Sequence, residues 1–271
     1  MNTSQKANPA DKYQRYFVPA MFERWAVVLM DSAQPRPGTR ALDIACGTGV
    51  VARHLAPRLG EHGAIVALDM NPAMLAVARS LPAPSGAPID WRLASAAPLP
   101  FDAETFDTIV CQHGLQFFPD RAAAVSEMRR TMKPQGRTAA MVLQSLALHP
   151  VFERLMTAVA GQLKLPLSAV AKPFGMSNAA QLRDLFTNAG FSRVDVNTAS
   201  IQARFGDPHE FVGLAIESSA AAIPAFAQMD DDARANLVAA VRDEAGPLIG
   251  EHVVDGAVSF PMFANVVVAS A

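Results

Sequence analysis

The sequence predicts an α/β fold with a Rossmann-like parallel sheet covered by helices on both faces. Short apolar segments alternate with amphipathic helical patterns between about residues 40 and 145, an order typical of parallel strands. A glycine-rich turn at Gly47 and Gly49 follows the first apolar segment. Apolar residues make up 51% of the 271 residues, so the chain can bury a large core.

Each element has its own sequence signal. We expect polar, frayed residues over 1–12 and a helical pattern over 13–32, within which Pro19 can open a helix at its first turn. Asn71 and Pro72 are residue types that cap and open a helix. The predicted strands cover 40–46, 64–68, 88–93, 106–111, 137–144 (after a turn at 133–136), 191–203 and 257–269. The predicted helices cover 50–59, a segment from Pro72, a segment with Val125, Met128 and Met132, and residues 149–164, 179–189, 207–217 and 231–245.

Two helical segments, at about 147–176 and 207–248, exceed what a doubly wound sheet needs. We expect these insertions and the N-terminal helix to cap the carboxyl ends of the strands and to enclose an apolar pocket. Seven of their apolar side chains either form its walls or pack between the helices. They are Phe152, Leu155, Met156, Phe174, Met176, Phe211 and Phe226.

Composition excludes several classes of function. With 23 Lys and Arg against 25 Asp and Glu, the chain lacks the basic surface of a nucleic-acid binder. Cys46 and Cys111 are the only cysteines, which fits a reducing compartment. The apolar stretch 211–229 contains Glu217 and Pro224, so we expect no membrane span. The N-terminus has no signal-peptide pattern, and we expect a cytoplasmic protein.

The strongest motif runs from Asp43 to Gly49, in the order Asp-Ile-Ala-Cys-Gly-Thr-Gly. Gly47 and Gly49 allow the backbone to approach a ligand, and the following helix presents unpaired N–H groups. Asp69 ends the next predicted strand, where a carboxylate can accept hydrogen bonds from both ribose hydroxyls. The motif therefore predicts a ligand of the adenosine type.

Two ligands fit this turn. Residues 47–52 also have the Gly-x-Gly-x-x-Ala form of a dinucleotide fingerprint, so an NAD(P)-dependent oxidoreductase is one alternative. Asp43 lies inside the strand, where it can organise the amides of the turn, and the dinucleotide fingerprint does not require it. No Tyr-x-x-x-Lys pair is evident. These features favour S-adenosylmethionine.

Four segments in order resemble the class I S-adenosylmethionine-dependent methyltransferases, in particular the methyltransferase-11 and ubiquinone/menaquinone-biosynthesis type. They read LDIACGTG, LDMNPAML, PLPF with FDTIVCQHGLQFFPD, and EMRRTMKPQGR. The resemblance is strong over about 13–145. It implies a seven-stranded, mostly parallel sheet with an antiparallel last strand, lid helices over 1–36 and the methyltransferase domain over 37–271.

The resemblance also assigns roles in holding S-adenosylmethionine, with S-adenosylhomocysteine as product. Ala45 and Gly47 would lie against the methionine moiety. Asp69 would hold the ribose and Met70 would pack on the adenine. The carbonyl of Cys111 would accept a hydrogen bond from the methionine ammonium. Asp43 would organise the turn.

At other positions the resemblance is less regular. Ala94 and Ser95 occupy the place of the family's Gly-Asp pair, so Ser95 departs from the carboxylate that meets the adenine amino group. Gln116 would lie above the transferred methyl group. Tyr16 would belong to the lid, together with Tyr13 and Phe17.

His113 is the candidate catalytic base, because it follows the strand whose end faces the reactive methyl group. The alternative is a histidine hydrogen-bonded to loop backbone. His209 and Glu210 begin a His-Glu-x-x pattern, but Gly213 stands where a second zinc ligand belongs, so no metal site is expected.

These observations predict methyl transfer from S-adenosylmethionine to a small, partly hydrophobic acceptor, with a homodimer possible. The acceptor would be quinone-like, aromatic or a secondary metabolite. Besides the oxidoreductase, a non-catalytic S-adenosylmethionine-binding protein remains an alternative, to which Ser95 gives some support.

Overall fold

A computed structural model describes residues 8–219, 226 and 228–270. Within that part of the chain, the central sheet has the strand order β3-β2-β1-β4-β5-β8-β6, with the short β7 paired to β8. β1 to β5 pair in parallel, whereas β8 is antiparallel to both β5 and β6. The strands are β1 Arg40–Ile44, β2 Ala64–Asp69, β3 Ile89–Leu93, β4 Phe106–Gln112, β5 Met132–Leu143, β6 Arg193–Phe205, β7 Val253–Val254 and β8 Ala257–Ser270.

The helices surround this sheet. The chain enters through α1 (Pro9–Lys12), a π-helical segment (Tyr13–Phe22) and α2 (Glu23–Ala33), which follow one another without a break. The remaining α-helices are α3 Val50–Leu59, α4 Pro72–Ser80, α5 Arg121–Thr131, α6 Pro150–Leu163, α7 Leu167–Val170, α8 Ala179–Asn188, α9 Pro208–Ser219 and α10 Asp231–Glu251. Short 3-10 turns occupy Leu115–Phe117, Leu146–Leu148 and Lys172–Phe174.

Alternating side chains of the strands feed two hydrophobic clusters, one on each face of the sheet. Ala41 of β1 and Ile65 of β2 belong to the cluster that α2 and α3 cover. Their neighbours Leu42 and Val66 belong to the cluster that α5 and α8 cover. This period of two with both faces apolar is what a covered parallel sheet requires, and it confirms the predicted α/β fold.

The N-terminal helix begins earlier than the sequence indicated. Its first residue is Pro9, and the Asn8 side chain accepts a hydrogen bond from the Ala10 amide at 3.0 Å. The prediction that Pro19 opens a helix was wrong, because Pro19 lies inside the π-helical segment. A proline lacks the N–H and clashes with the preceding turn of an α-helix. The wider π-helix accommodates it here.

Two details of the sheet also differ from expectation. The predicted turn at 133–136 lies inside β5, where the register against β4 shifts between Phe106 and Thr108. The extra residues form a bulge rather than a connection. The sheet has an eighth strand in the described part, since Val253–Val254 pairs with the start of β8. In residues 8–219, 226 and 228–270, no helix combines the length and apolar character that crossing a membrane requires.

Candidate active site

The glycine turn joins β1 to α3 at the carboxyl edge of the sheet. Ala45, Gly47 and Gly49 all have positive φ angles, of 58°, 56° and 89°. A Cβ atom at Gly49 would lie 2.3 Å from the Trp91 ring, so glycine is needed there both for conformation and for space. The turn is therefore a fixed structure that packs against β3.

Asp43 connects the turn to the helix that follows it. Its carboxyl group is 1% exposed, and Oδ2 accepts a hydrogen bond from the Ala52 amide at 3.0 Å. This amide belongs to the first turn of α3. Burial raises the pKa of Asp43 well above its usual value. Among the described residues, Oδ1 has no hydrogen-bond partner.

Asp69 holds the turn from β2. Its Oδ2 accepts a hydrogen bond from the Gly47 amide at 2.8 Å, and its Oδ1 accepts one from the Asn71 amide at 2.8 Å. Burial raises the pKa of Asp69, although these hydrogen bonds act in the opposite direction. The carboxyl group thus links the end of β2 to the glycine turn.

An apolar surface adjoins Asp69. Met70 is 74% exposed and Leu93 is 61% exposed, the largest fractions among the large apolar side chains of the described chain. Both stand at the carboxyl ends of neighbouring strands, where Asp69 is paired with Leu93. Exposed apolar side chains beside a half-buried carboxyl group are suited to a nucleoside, with its flat base and its hydroxyls.

Ala94 and Ser95 follow directly. The Ala94 amide donates to the Asp69 carbonyl at 3.1 Å. The Ser95 hydroxyl donates to the Ala97 carbonyl at 3.0 Å and is exposed. Ser95 is therefore engaged with its own loop.

The π-helical segment lies over the glycine turn. The nearest atom to a Cβ built on Gly47 is Cε1 of Tyr13, at 4.0 Å. Burial, and then the nearby Asp69 carboxyl group, raise the pKa of Tyr13. Tyr16 lies under Arg15 instead, with the guanidinium 5.3 Å from its ring centroid. Of the predicted lid residues Tyr13, Tyr16 and Phe17, the structure thus places Tyr13 against the turn.

His113 stands just beyond β4. Its backbone has a φ of 50°, and its amide donates to the Met141 carbonyl of β5 at 2.9 Å. The residue is 8% exposed, and neither ring nitrogen has a hydrogen-bond partner within the described chain. Burial, with a smaller effect of His149, lowers the pKa of His113 from 6.5 to about 3. The ring is neutral, and the expected alternative of a ring bound to loop backbone is not what this arrangement shows.

Further polar groups near the end of β4 lack partners in the part of the chain that the structure describes. They are Gln112 Oε1, Gln116 Oε1 and Trp25 Nε1. Gln116 is 5% exposed and Trp25 is 0% exposed. Gln112 donates from Nε2 to the Phe22 carbonyl at 3.2 Å, which ties β4 to the end of the π-helical segment.

The β4 end and the glycine turn are in direct contact. A Cβ atom at Gly114 would lie 2.6 Å from the Cβ of Ala45 and 2.9 Å from the Sγ of Cys111. Cys111 is fully buried, and burial raises the pKa of its thiol to about 12. The sequence-predicted residues 43–47, 69–70 and 111–116 are thus brought to one edge of the sheet.

The seven expected wall residues are all buried. All of them are at most 8% exposed, and they pack between helices and strands. Phe152, for example, has ring centroid distances of 5.9 Å to Phe174 and 5.6 Å to Phe260. In this structure they form core, which was the alternative interpretation.

Sequence reasoning missed Trp25, Gln112 and Trp91. Trp25 lies in an apolar helical stripe and Trp91 in an apolar strand, so each has the pattern of a core residue. Gln112 directly precedes His113 in the motif, and that adjacency was an available signal. Only the three-dimensional contacts place these residues around the turn.

Comparisons with known proteins agree with this geometry. Residues 41–136 match the family described as "Methyltransferase domain". The ubiquinone/menaquinone biosynthesis C-methyltransferase UbiE of Paraburkholderia phymatum is 37% identical over 113 residues, which are 42% of this chain and 46% of that protein. This chain therefore spans about half the length of that relative.

A longer match covers most of another relative. The demethylmenaquinone methyltransferase of Shouchella clausii is 31% identical over 191 residues, which are 64% of this chain and 79% of that protein. Among solved structures, phosphoethanolamine N-methyltransferase 2 of Haemonchus contortus, in complex with S-adenosyl-L-methionine, has a TM-score of 0.57 at 16% identity. That similarity covers 98% of this chain and 58% of the other, and it supports the fold. Together with the glycine turn and Asp69, these matches show that the chain belongs to the class I S-adenosylmethionine-dependent methyltransferases.

Proposed function

We propose that this protein transfers a methyl group from S-adenosylmethionine to a small acceptor with a phenolic or quinol-like ring. The observation that carries the proposal is the hydrogen bond from the Ala52 amide to Asp43. This hydrogen bond uses one of the free N–H donors at the N-terminus of α3, where a dinucleotide would bind its pyrophosphate. With Asp69 also at the turn, the site is suited to a cationic nucleoside rather than a polyanion.

The cofactor roles follow from these positions. Asp69 would accept hydrogen bonds from the ribose, with Met70 and Ala94 beside the adenine and Ser95 contributing little. Ala45 and Gly47 would lie against the methionine moiety, whose ammonium would meet the Cys111 carbonyl. Within the predicted lid, Tyr13 is the tyrosine that lies beside Gly47, so Tyr13 would make the cofactor contact expected of Tyr16. When bound, S-adenosylmethionine supplies an electrophilic methyl group with a neutral thioether as leaving group.

The acceptor would meet this methyl group at the end of β4. The names of the curated relatives support a quinone-like acceptor, and His113 and Gln116 are the polar groups that would face it. The neutral imidazole of His113 takes the proton of the acceptor hydroxyl. With a pKa of about 3 the ring is a weak base in the free protein. The phenolate that forms beside it would strengthen the base by attraction to the imidazolium.

Calorimetric titration tests the cofactor. S-adenosylmethionine and S-adenosylhomocysteine are expected to bind and NAD is not. Asp69→Ala should weaken both by about 30-fold, because it removes the ribose contact and frees the Gly47 amide.

The control is Asp195→Ala, which removes an exposed carboxylate on β6 paired with Arg193. It should leave both affinities unchanged. Binding of NAD alone would overturn the proposal and favour the oxidoreductase.

A further inference from the structure

Trp25 is the polar side chain near the candidate site to which no role has been given. It lies on α2 and is completely buried. Its ring centroid is 5.5 Å from that of His113, in an edge-on arrangement with an interplanar angle of 73°. In the part of the chain that the structure describes, its Nε1 has no hydrogen-bond partner.

A buried indole N–H without a partner is uncommon, because it loses its hydrogen bonds to water and gains none in return. A phenylalanine would fill a similar volume without that cost. The neighbouring His113 has two nitrogens without partners, and Gln112 has an unpaired Oε1. The indole donor of Trp25 and the acceptor nitrogen of neutral His113 are therefore both unsatisfied in neighbouring rings.

This combination indicates what the missing partner contains. The indole N–H can only donate, so it requires an oxygen or another acceptor atom. The unprotonated ring nitrogen of neutral His113 can only accept, so it requires an O–H or N–H. A phenolic hydroxyl supplies both, because its oxygen accepts from the indole N–H and its proton can be donated to His113.

Trp25 packs against His113, at the end of β4. The carboxyl groups of the glycine turn belong to β1 and β2, whereas His113 follows β4 and bonds to Met141 of β5. The ring of Phe22 lies 5.9 Å from that of His113, and Phe22 ends the π-helical segment. An aromatic acceptor entering beside His113 would displace this ring.

Resting on the proposed function, we propose that Trp25 binds the acceptor, donating a hydrogen bond from its indole N–H to the phenolic oxygen that His113 deprotonates. The chain contains two tryptophans. The second, Trp91, lies against Gly49 of the cofactor turn. The two indole groups thus report separately on the two halves of the site.

The test is an NMR titration of protein labelled with 15N-tryptophan, with signals assigned through Trp25→Phe. S-adenosylhomocysteine is added first and 1,4-dihydroxynaphthalene second. The Trp91 signal should respond to the first compound, and the Trp25 signal should move downfield with the second. Trp25→Phe should weaken binding of 1,4-dihydroxynaphthalene about tenfold and leave binding of S-adenosylhomocysteine unchanged.

The outcomes separate the two proposals. A Trp25 signal that does not move up to the solubility limit of 1,4-dihydroxynaphthalene overturns the role of Trp25, even where S-adenosylhomocysteine binds. So does a Trp25→Phe protein whose affinity for 1,4-dihydroxynaphthalene is unchanged. A Trp25 signal that moves in a protein unable to bind S-adenosylhomocysteine supports the acceptor contact and overturns the methyltransferase function instead.

Discussion

Two buried histidines lie in regions of opposite character. At the end of β5, His149 is 1% exposed, its Nδ1 lies 2.9 Å from the Ser145 carbonyl, and its Nε2 accepts from the Phe263 amide at 2.9 Å. At the end of β4, neither ring nitrogen of His113 has a partner among the described residues. Both rings have pKa values lowered mainly by burial.

The surroundings of each histidine extend this contrast. Near His149, Asn265 donates to the Ser177 carbonyl at 2.7 Å and accepts from Gln144 at 3.1 Å. Near His113, the polar atoms of Trp25 and Gln116 have no partner in the described chain. The buried polar groups near His149 are hydrogen-bonded to one another, so we attribute the unsatisfied polar groups near His113 to the function of that region. We infer that the His149 region serves stability and the His113 region serves a ligand.

The largest expected effect is on stability at His149. His149→Phe should lower the free energy of unfolding by about 3 kcal/mol, because the Phe263 amide loses its partner within the structure. Urea denaturation measures this change. Methyl transfer by the folded variant should remain near the wild-type rate. A fully stable variant would mean that the two histidines are alike, and the contrast would fail.

The next effect is on activity at His113. His113→Asn should lower kcat by about 100-fold, at the lower end of what a general base contributes. Asparagine tolerates the positive φ of this position, so stability should change little. Single-turnover transfer of labelled methyl to 1,4-dihydroxynaphthalene measures the rate. A variant that keeps its methyl-transfer activity but loses stability would show that His113 has a structural role instead.

The smallest effect is on the pH dependence of stability. The unfolded imidazole binds a proton below its ordinary pKa of 6.5, whereas the native ring of His113 does so only near 3. The stability is therefore complete above about pH 7 and falls as the pH decreases, by about 2 kcal/mol at pH 5 for this one group. His113→Asn should flatten the decrease by that amount in urea melts at both pH values. Parallel profiles for variant and wild type would contradict the low pKa.

The sequence predicted well what depends on neighbouring residues. The bounds of α3 were right, because the apolar pattern lies between Gly49 and Gly60, whose φ angles are 89° and 67°. Asn71 accepts from the Ala73 amide at 2.9 Å, as its position before Pro72 predicted. The glycine turn, Asp43 and Asp69 were likewise identified from local spacing.

What the sequence could not predict depends on contacts between distant segments. A regular helical period places Tyr13 and Tyr16 on one face. The π-helical segment changes the angle between these two side chains around the helix axis, and only Tyr13 approaches Gly47. The absence of a partner for the Trp25 indole within the described chain is likewise a property of the assembled core, since the residue type and period are those of an ordinary buried side chain.

The antiparallel β8 has a consequence for self-association. Because it lies inside the sheet, the long strand β6 becomes the outer edge, a place where two copies of a chain can join their sheets. The Gln202 carbonyl of β6 accepts a hydrogen bond from the Arg24 guanidinium at 2.5 Å. Arg193 and Asp195 add charge along the same strand. The Arg24 guanidinium of α2 thus occupies a carbonyl of β6 that the amide of a neighbouring copy would need. This contact disfavours aggregation through the β6 edge.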